Sequence, residues 1–460
     1  MDTYFFKIMC FWATIFSSGT VKCETNISSL NENSNISYPL ESNWLMEVYE
    51  DDISPFTYNC SKPLGKNNLS HHFVLFETHD LAIGGIWMEN SSVIETHMSC
   101  KNGTVKMFVK AGHLGITSIR ISQSSDEVGH TVLNTGELSV HVLRKVTLFD
   151  ELAVFVLGPL ILFNKCAFGA KIEVDMLKRI VTHPVELSLC LLTQFIFLPL
   201  TAVGLGTFLQ LDQILALALL VSAVCPGGGG GYVFSFLVEG DITVAITASL
   251  VSTLVAMVAM PAVIGTYSYF AHIPNNIVIP YIKILLMLLA IATPITLGMI
   301  LRRKKPNLAK KLITVIKPLS LFLIFAGLVV VVVTSKYVMY GPKVGYILAI
   351  LVPFSGLFIA TVLCKLVCLD WPLTKAVALE SGLKNTVLGV AVIELSFPQP
   401  QADLASILIV MITVGQVVVA MTWYFVHLLS KSFTQSRQKK DREEDPLETE
   451  MFLQHSSSAF

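Results

Sequence analysis

Cys225–Pro226–Gly227–Gly228–Gly229–Gly230–Gly231–Tyr232 stands in the middle of an apolar run that extends from about 211 to 238. Proline brings no backbone donor, and each glycine costs a helix interior about 1 kcal/mol relative to alanine. The run therefore predicts an interrupted helix. At membrane depth such an interruption is tolerated only where protein buries it or where it lines a watery cavity. Much further along, a second apolar run (373–397) carries Glu380–Ser381–Gly382–Leu383–Lys384–Asn385. A charge at mid-span costs about 2.5–3.5 kcal/mol on insertion scales. Two interrupted helices, one in each half of a membrane domain, point to a transporter with inverted repeats and a midplane site. The other reading of the glycines, a helix-packing face, calls for small residues four apart with apolar residues between, not five in succession after proline. A nucleotide-binding loop is disfavoured because no Gly-Lys-Ser/Thr follows.

The rest of the chain is consistent with a bilayer. Of its 460 residues 53% are hydrophobic and 14% charged, against about 25% charged in soluble domains. The charges are unevenly spread: 25 lie in residues 1–145, 11 in the tail from Lys431, and 29 in the 285 residues between. This excludes a soluble enzyme, a nucleic-acid binder and a disordered chain, and the net charge of −1 points to no partner. Nine apolar segments are expected, near 146–165, 185–208, 211–238, 242–269, 277–301, 312–334, 344–368, 373–397 and 402–427. Basic residues sort by side, as cytoplasmic loops require. Eighteen fall on the predicted inner side, among them Lys165, Lys171, Arg302, Arg303, Lys365 and Lys375, against Lys283, Lys336 and Lys343 outside. The amino terminus is then outside and the tail (431–460) cytoplasmic and disordered.

Residues 1–23 read as a signal peptide, with an uncleaved anchor as the alternative. Between 24 and 145 lie six N-x-[ST] sequons, at Asn26, Asn35, Asn59, Asn68, Asn90 and Asn102, which suits a glycosylated extracellular domain. Alternation at 72–76, 105–110, 116–121 and 138–142 predicts strands, hence a small β-sandwich. Cys60 and Cys100 could form a disulfide in an oxidising compartment. Neither the remaining cysteines nor His71, His72 and His79 have convincing zinc spacing, and solvated histidines are the better reading.

Three motifs carry a family resemblance: Pro226–Gly227–Gly228 … Val233–Phe234–Ser235 … Glu239–Gly240–Asp241, Thr193–Gln194–Phe195 … Leu198–Pro199–Leu200–Thr201–Ala202, and Glu380–Ser381–Gly382 … Asn385. Together they resemble the sodium/bile acid cotransporter family over about 146–430. The large extension and the all-glycine tract are similar to the family's orphan branch. The resemblance implies a core domain with two crossed, broken helices beside a panel domain, and sodium-coupled transport of bile acids, sulfated steroids and similar organic anions. It also implies cation-site residues. Gln194 matches a sodium-site Gln, Glu380 the acidic residue between two sites, and Ser249 stands where the family has Thr. Gly231 and Tyr232 stand where sodium-coupled members have Ser and Asn, and Lys384 where they have a coordinating Gln. Asn385 closes the candidate set, with no cofactor and no metal other than sodium as coupling ion.

Glu380 and Lys384 are four apart and could pair on one helix face, although Gly382 interrupts it. Either the Lys384 ammonium replaces a sodium ion, or the two form a static neutralising pair. The expected function is a plasma-membrane secondary transporter of organic anions, not an enzyme, with sodium coupling in question at Lys384. The rival is a non-transporting membrane protein whose extracellular domain binds a protein partner. Thr193, Thr247, Thr253, Thr386 and Gln416 are weaker candidates for the substrate path, and Glu394 is expected to be solvated.

Overall fold

A computed structural model describes residues 43–59, 73–80, 83–88, 91–93, 95–99, 104–124, 132–144, 148–171, 184–271, 281–339 and 341–444. The signal segment, Asn26, Asn35, Asn68, Asn90, Asn102, Cys60 and Cys100 lie outside them. Nine strands precede the helices: β1 (Asn43–Tyr49), β2 (Ile53–Asn59), β3 (Phe73–Thr78), β4 (Gly84–Met88), β5 (Ser91–Val93), β6 (Glu95–Ser99), β7 (Thr104–Ala111), β8 (Gly115–Ser124) and β9 (Val132–Leu143). They form a five-stranded sheet, β1-β9-β8-β3-β6, and a four-stranded sheet, β2-β7-β4-β5. Among the described residues only the β1–β9 pairing is parallel. Every second residue points inward. Val48, Ile119, Ile121, Leu138, Val140 and Val142 of one sheet therefore share a buried core with Tyr58, Ile86, Val105, Met107 and Val109 of the other.

The helices are α1 (Leu148–Lys171), α2 (Val185–Phe208), α3 (Gln213–Val224), α4 (Gly229–Leu237), α5 (Ile242–Phe270), α6 (Tyr281–Lys304), α7 (Pro306–Met339), α8 (Lys343–Leu366), α9 (Trp371–Gly382), α10 (Thr386–Ser396) and α11 (Gln401–Glu444). Among the described residues, α2, α5, α6, α8 and the Gln401–Thr434 part of α11 are long and apolar enough to cross a membrane. Large apolar side chains stay exposed around them, including Leu200, Val258, Ile282, Phe325, Phe354 and Phe358. A lipid-facing belt requires this, because the surrounding hydrocarbon is as apolar as the side chains. Helices α1, α6 and α7 pack on one another as one layer, and the remaining helices form a second unit beside it. Small residues allow the closest crossings: a Cβ on Gly298 would lie 2.0 Å from the Cys166 carbonyl oxygen, and one on Gly415 1.7 Å from that of Ala349.

Four expectations need correcting. Helix α1 runs past Lys165 to Lys171, so Lys165 is buried in a helix and not in an inner loop. The apolar residues Cys166–Ala167–Phe168–Gly169–Ala170 continue the span beyond the first basic residue. Lys375 is likewise buried, donating to the Val238 carbonyl at 2.6 Å, where it caps the C-terminal end of α4. Glu394 is half-buried and accepts hydrogen bonds from Gln399 (2.8 Å) and Ser406 (2.6 Å). The tail is helical as far as Glu444 because α11 simply continues, and 445–460 lie outside the described residues.

Candidate cation and substrate site

Both interruptions are present, and each supplies what the other lacks. Asp212 starts α3 by accepting from the amides of Ile214 and Leu215, both at 2.9 Å. The helix ends at Val224, and the chain turns extended at Cys225 (φ −54°, ψ 143°) and Gly228 (φ −95°, ψ 173°). Helix α9 ends at Gly382, followed by extended Leu383 (φ −101°, ψ 94°). The two extended stretches lie antiparallel, with Gly227 opposite Lys384. The Gly228 amide donates to the Leu383 carbonyl (2.9 Å) and the Asn385 amide to that of Pro226 (2.9 Å). Two backbones that would be unsatisfied in a bilayer thus satisfy each other. The interruption is narrower than the sequence suggests, because Gly229, Gly230, Gly231 and Tyr232 already belong to α4.

The glycines make room for a carboxylate. A Cβ on Gly227 would lie 1.9 Å from Glu380 Oε1, and one on Gly231 2.0 Å from Oε2. Glu380 is 0% exposed, and neither of its oxygens has a hydrogen-bond partner. Gln194 sits on a π-helical turn of α2, Thr193–Phe197, a distortion frequent at functional sites. Its amide nitrogen donates to Cys190 Sγ (3.0 Å) and to the Glu380 carbonyl (3.2 Å), leaving its buried Oε1 without a partner. Ser249 donates to the Gly227 carbonyl at 3.4 Å and lies beside the Glu380 carboxylate. Ser252 accepts from the Gly227 amide at 3.3 Å. Three buried acceptor oxygens without partners (Gln194 Oε1, Glu380 Oε1 and Oε2) therefore belong to two residues joined at the crossing by the Gln194 amide. This donor set fits a hard cation such as sodium.

Lys384 does not fit that description. Its ammonium is buried and has no hydrogen-bond partner. The helical pairing with Glu380 does not form, because α9 has ended at Gly382, and no direct ion pair joins the two among the described residues. Tyr232 packs on Phe168 of α1, ring centroids 4.2 Å apart, with its hydroxyl over Gly229. Asn385, the first residue before α10, is half-buried and makes no side-chain cap. Thr193 and Thr253 donate to their own helix, at Leu189 O (2.8 Å) and Ser249 O (2.7 Å), as membrane threonines commonly do. Thr247 Oγ1 and Gln416 Nε2 are buried without partners.

Glu239–Gly240–Asp241 forms the turn between α4 and α5. Asp241 caps α5 by accepting from the Val244 amide (3.0 Å), and Glu239 is held at φ 59°. Lys431 of α11 donates to the Glu239 carboxylate, and this bond lowers its pKa from the ordinary carboxylate value. Sequence reasoning did not anticipate the burial of Lys165, nor the contacts of Cys190 with Gln194 and of Ser252 with Gly227. The signal for Lys165 was the apolar stretch continuing behind it.

Residues 158–342 match the model of the Sodium Bile acid symporter family. The P3 protein of Mus musculus is 34% identical over 291 residues, covering 63% of this chain and 59% of its own. Sodium/bile acid cotransporter 5 of Rattus norvegicus is 35% identical over 248 residues, covering 54% and 57%. The hepatic sodium/bile acid cotransporter of Homo sapiens is 29% identical over 246 residues, covering 52% and 69%. The chain thus spans less than two thirds of the length of the first two.

Proposed function

We propose that this chain is a secondary transporter of organic anions like the sodium bile acid symporter family, whose model residues 158–342 match, with sodium coupling weakened by Lys384. Its substrates are bile-acid-like or sulfated-steroid-like amphiphiles, and it works by alternating access, without covalent chemistry. The single observation that carries the reading is the crossing of two broken helices around an unpartnered, fully buried carboxylate. A buried carboxylate with no hydrogen bond is costly unless a cation or proton completes it. The helices α1, α6 and α7 act as the panel, and the unit holding the crossing acts as the core. The chain crosses the bilayer nine times: α1, α7, α3 with α4, and α9 with α10 join the five long apolar helices. The β domain stands outside, glycosylated and stapled by Cys60–Cys100, the C-terminal tail stands inside, and the plasma membrane is the working location.

The test is uptake of a labelled conjugated bile acid and a labelled steroid sulfate by vesicles holding the full chain, in sodium and in choline. Saturable uptake that is the same in both salts is expected. Lys384→Gln, which restores a neutral oxygen ligand, is expected to acquire a several-fold stimulation by sodium. Absence of uptake across a broad anion panel would sink the transport reading.

A second reading has its own observation. Leu45 and Tyr49 of β1, Ile53 of β2 and Phe108 of β7 are large, apolar and more than 45% exposed on the β domain. Such side chains suit a protein partner, with the membrane unit serving as anchor.

A further inference from the structure

We propose that Lys165, on the panel helix α1, is a tethered counter-cation for Glu380 of the core and takes the place of a dissociable coupling ion at that carboxylate. This rests on reading the crossing as the transporter's cation centre. The geometry is carried by α1. One turn beyond Lys165 lies Phe168, on the same helix face, and its ring packs against Tyr232. Tyr232 adjoins Gly231, over which the Glu380 carboxylate lies. The helix cannot rotate that face away. On the neighbouring residue, Asn164 Nδ2 donates to Ser320 Oγ of α7 (3.2 Å), and a Cβ on Gly169 would lie 2.1 Å from the Ile295 carbonyl oxygen of α6. Lys165 is only 8% exposed, and Glu380 is the charged group with which it interacts. The two do not close a direct ion pair. Their attraction acts through a buried, weakly screened interior.

Two facts separate this role from that of Lys384. Lys384 sits in the core with the carboxylate, on the extended backbone opposite Gly227. Lys165 belongs to the other layer, so its charge is presented across the interface that alternating access must open. A fixed cation here satisfies the desolvated carboxylate without an exchangeable ion, and a sodium ion brought to the same oxygens would meet its repulsion.

The experiment is thermal unfolding of the purified full-length protein in detergent, in sodium chloride against equal choline chloride. The unsubstituted protein is expected to melt at the same temperature in both. Lys165→Gln is expected to gain a sodium-dependent rise of about 2 °C or more, since an ion that binds only the folded state stabilises it. Lys165→Gln with Glu380→Gln is expected to lose the sodium response. If either single substitution lowers the midpoint or prevents folding, the charge-neutral double variant is expected to recover most of the loss. The proposal is overturned by a sodium response of the unsubstituted protein that Glu380→Gln abolishes. It is equally overturned by Lys165→Gln folding without a sodium response, or by a double variant whose loss is the sum of the singles. None of these readouts needs uptake: inert vesicles would end the transport reading, while the melting series alone decides the counter-cation.

Discussion

Gly227 and Gly231 hold Glu380 from two sides, and their neighbours make different demands. Around a Cβ on Gly227, the three nearest atoms are Oε1, Cδ and Cγ of Glu380, all side chain. Around one on Gly231 they include Glu380 Cα at 2.8 Å, which no substitution at 380 removes. Gly227→Ala and Gly231→Ala should each destabilise the chain by about 1–3 kcal/mol or more through overpacking. Adding Glu380→Ala should rescue the first and leave the second impaired, as thermal midpoints in detergent would show. In the β domain, His141 of β9 lies opposite Glu47 of β1, and its Nδ1 is buried without a partner. Burial lowers its pKa from the ordinary histidine value, and Glu47 only partly opposes this. Between about pH 6.5 and the lower folded value, the unfolded chain therefore binds more protons than the folded one. Stability carried by neutral His141 is present above about pH 6.5 and is lost as pH falls. Proteolytic susceptibility of the β domain should rise from about pH 7.5 to about pH 5.5, and His141→Gln should flatten that rise.

At the scale of elements, the broken helices were readable as breaks, but their pairing was not. Pro226 and the glycines forbid a regular helix locally, whatever surrounds them. That Gly227 would lie opposite Lys384, and that Gly229–Tyr232 would return to helix, depends on a partner segment more than 150 residues away. The sequence argument for Glu380 and Lys384 as helix neighbours failed for the same reason: the backbone leaves the helix at Gly382 to complete the other break. Glycines within intact helices divide by what they touch. Gly415 of α11 meets the Ala349 carbonyl of α8, whereas Gly204 of α2 has nothing within 4 Å of its Cβ position. Gly415→Ala should lower the thermal midpoint and the yield of folded protein by forcing α8 and α11 apart. Gly204→Ala should be neutral or stabilising by up to about 1 kcal/mol, since alanine is the better helix former.

At the scale of the whole molecule, the β domain touches the membrane unit through Leu114. This buried side chain packs with Ala349 of α8 and with Ile407 and Met411 of α11. Both helices belong to the unit that holds the crossing, not to the α1–α6–α7 layer. The β domain therefore rests on the unit that would move as the core. Leu114→Asp should loosen that seat while leaving the sheet core of Val48, Ile119 and Leu138 intact. The expected result is faster cleavage by protease near residues 144–148 with no loss of a protected β fragment. The charge distribution changes meaning at this scale too. Lys165 and Lys375, counted with the inner loops by their sign, are buried in helices, and Lys375 caps α4.

The local chemistry of the chain was enough to determine a membrane protein with two interrupted helices and an N-terminal strand-rich segment. Hydrophobic runs, prolines, glycine clusters and alternation act over neighbouring residues, and each enforces its consequence without help from afar. Gln194, Ser249 and Glu380 were named through the family resemblance, without knowledge of the fold. Only the tertiary structure decided that Glu380 is clamped between two glycines, that Lys384 makes no direct pair with it, and that a third charge, Lys165, is buried in a helix of the other layer. A charge buried in a bilayer is tolerated according to what faces it, and those partners come from helices distant in sequence.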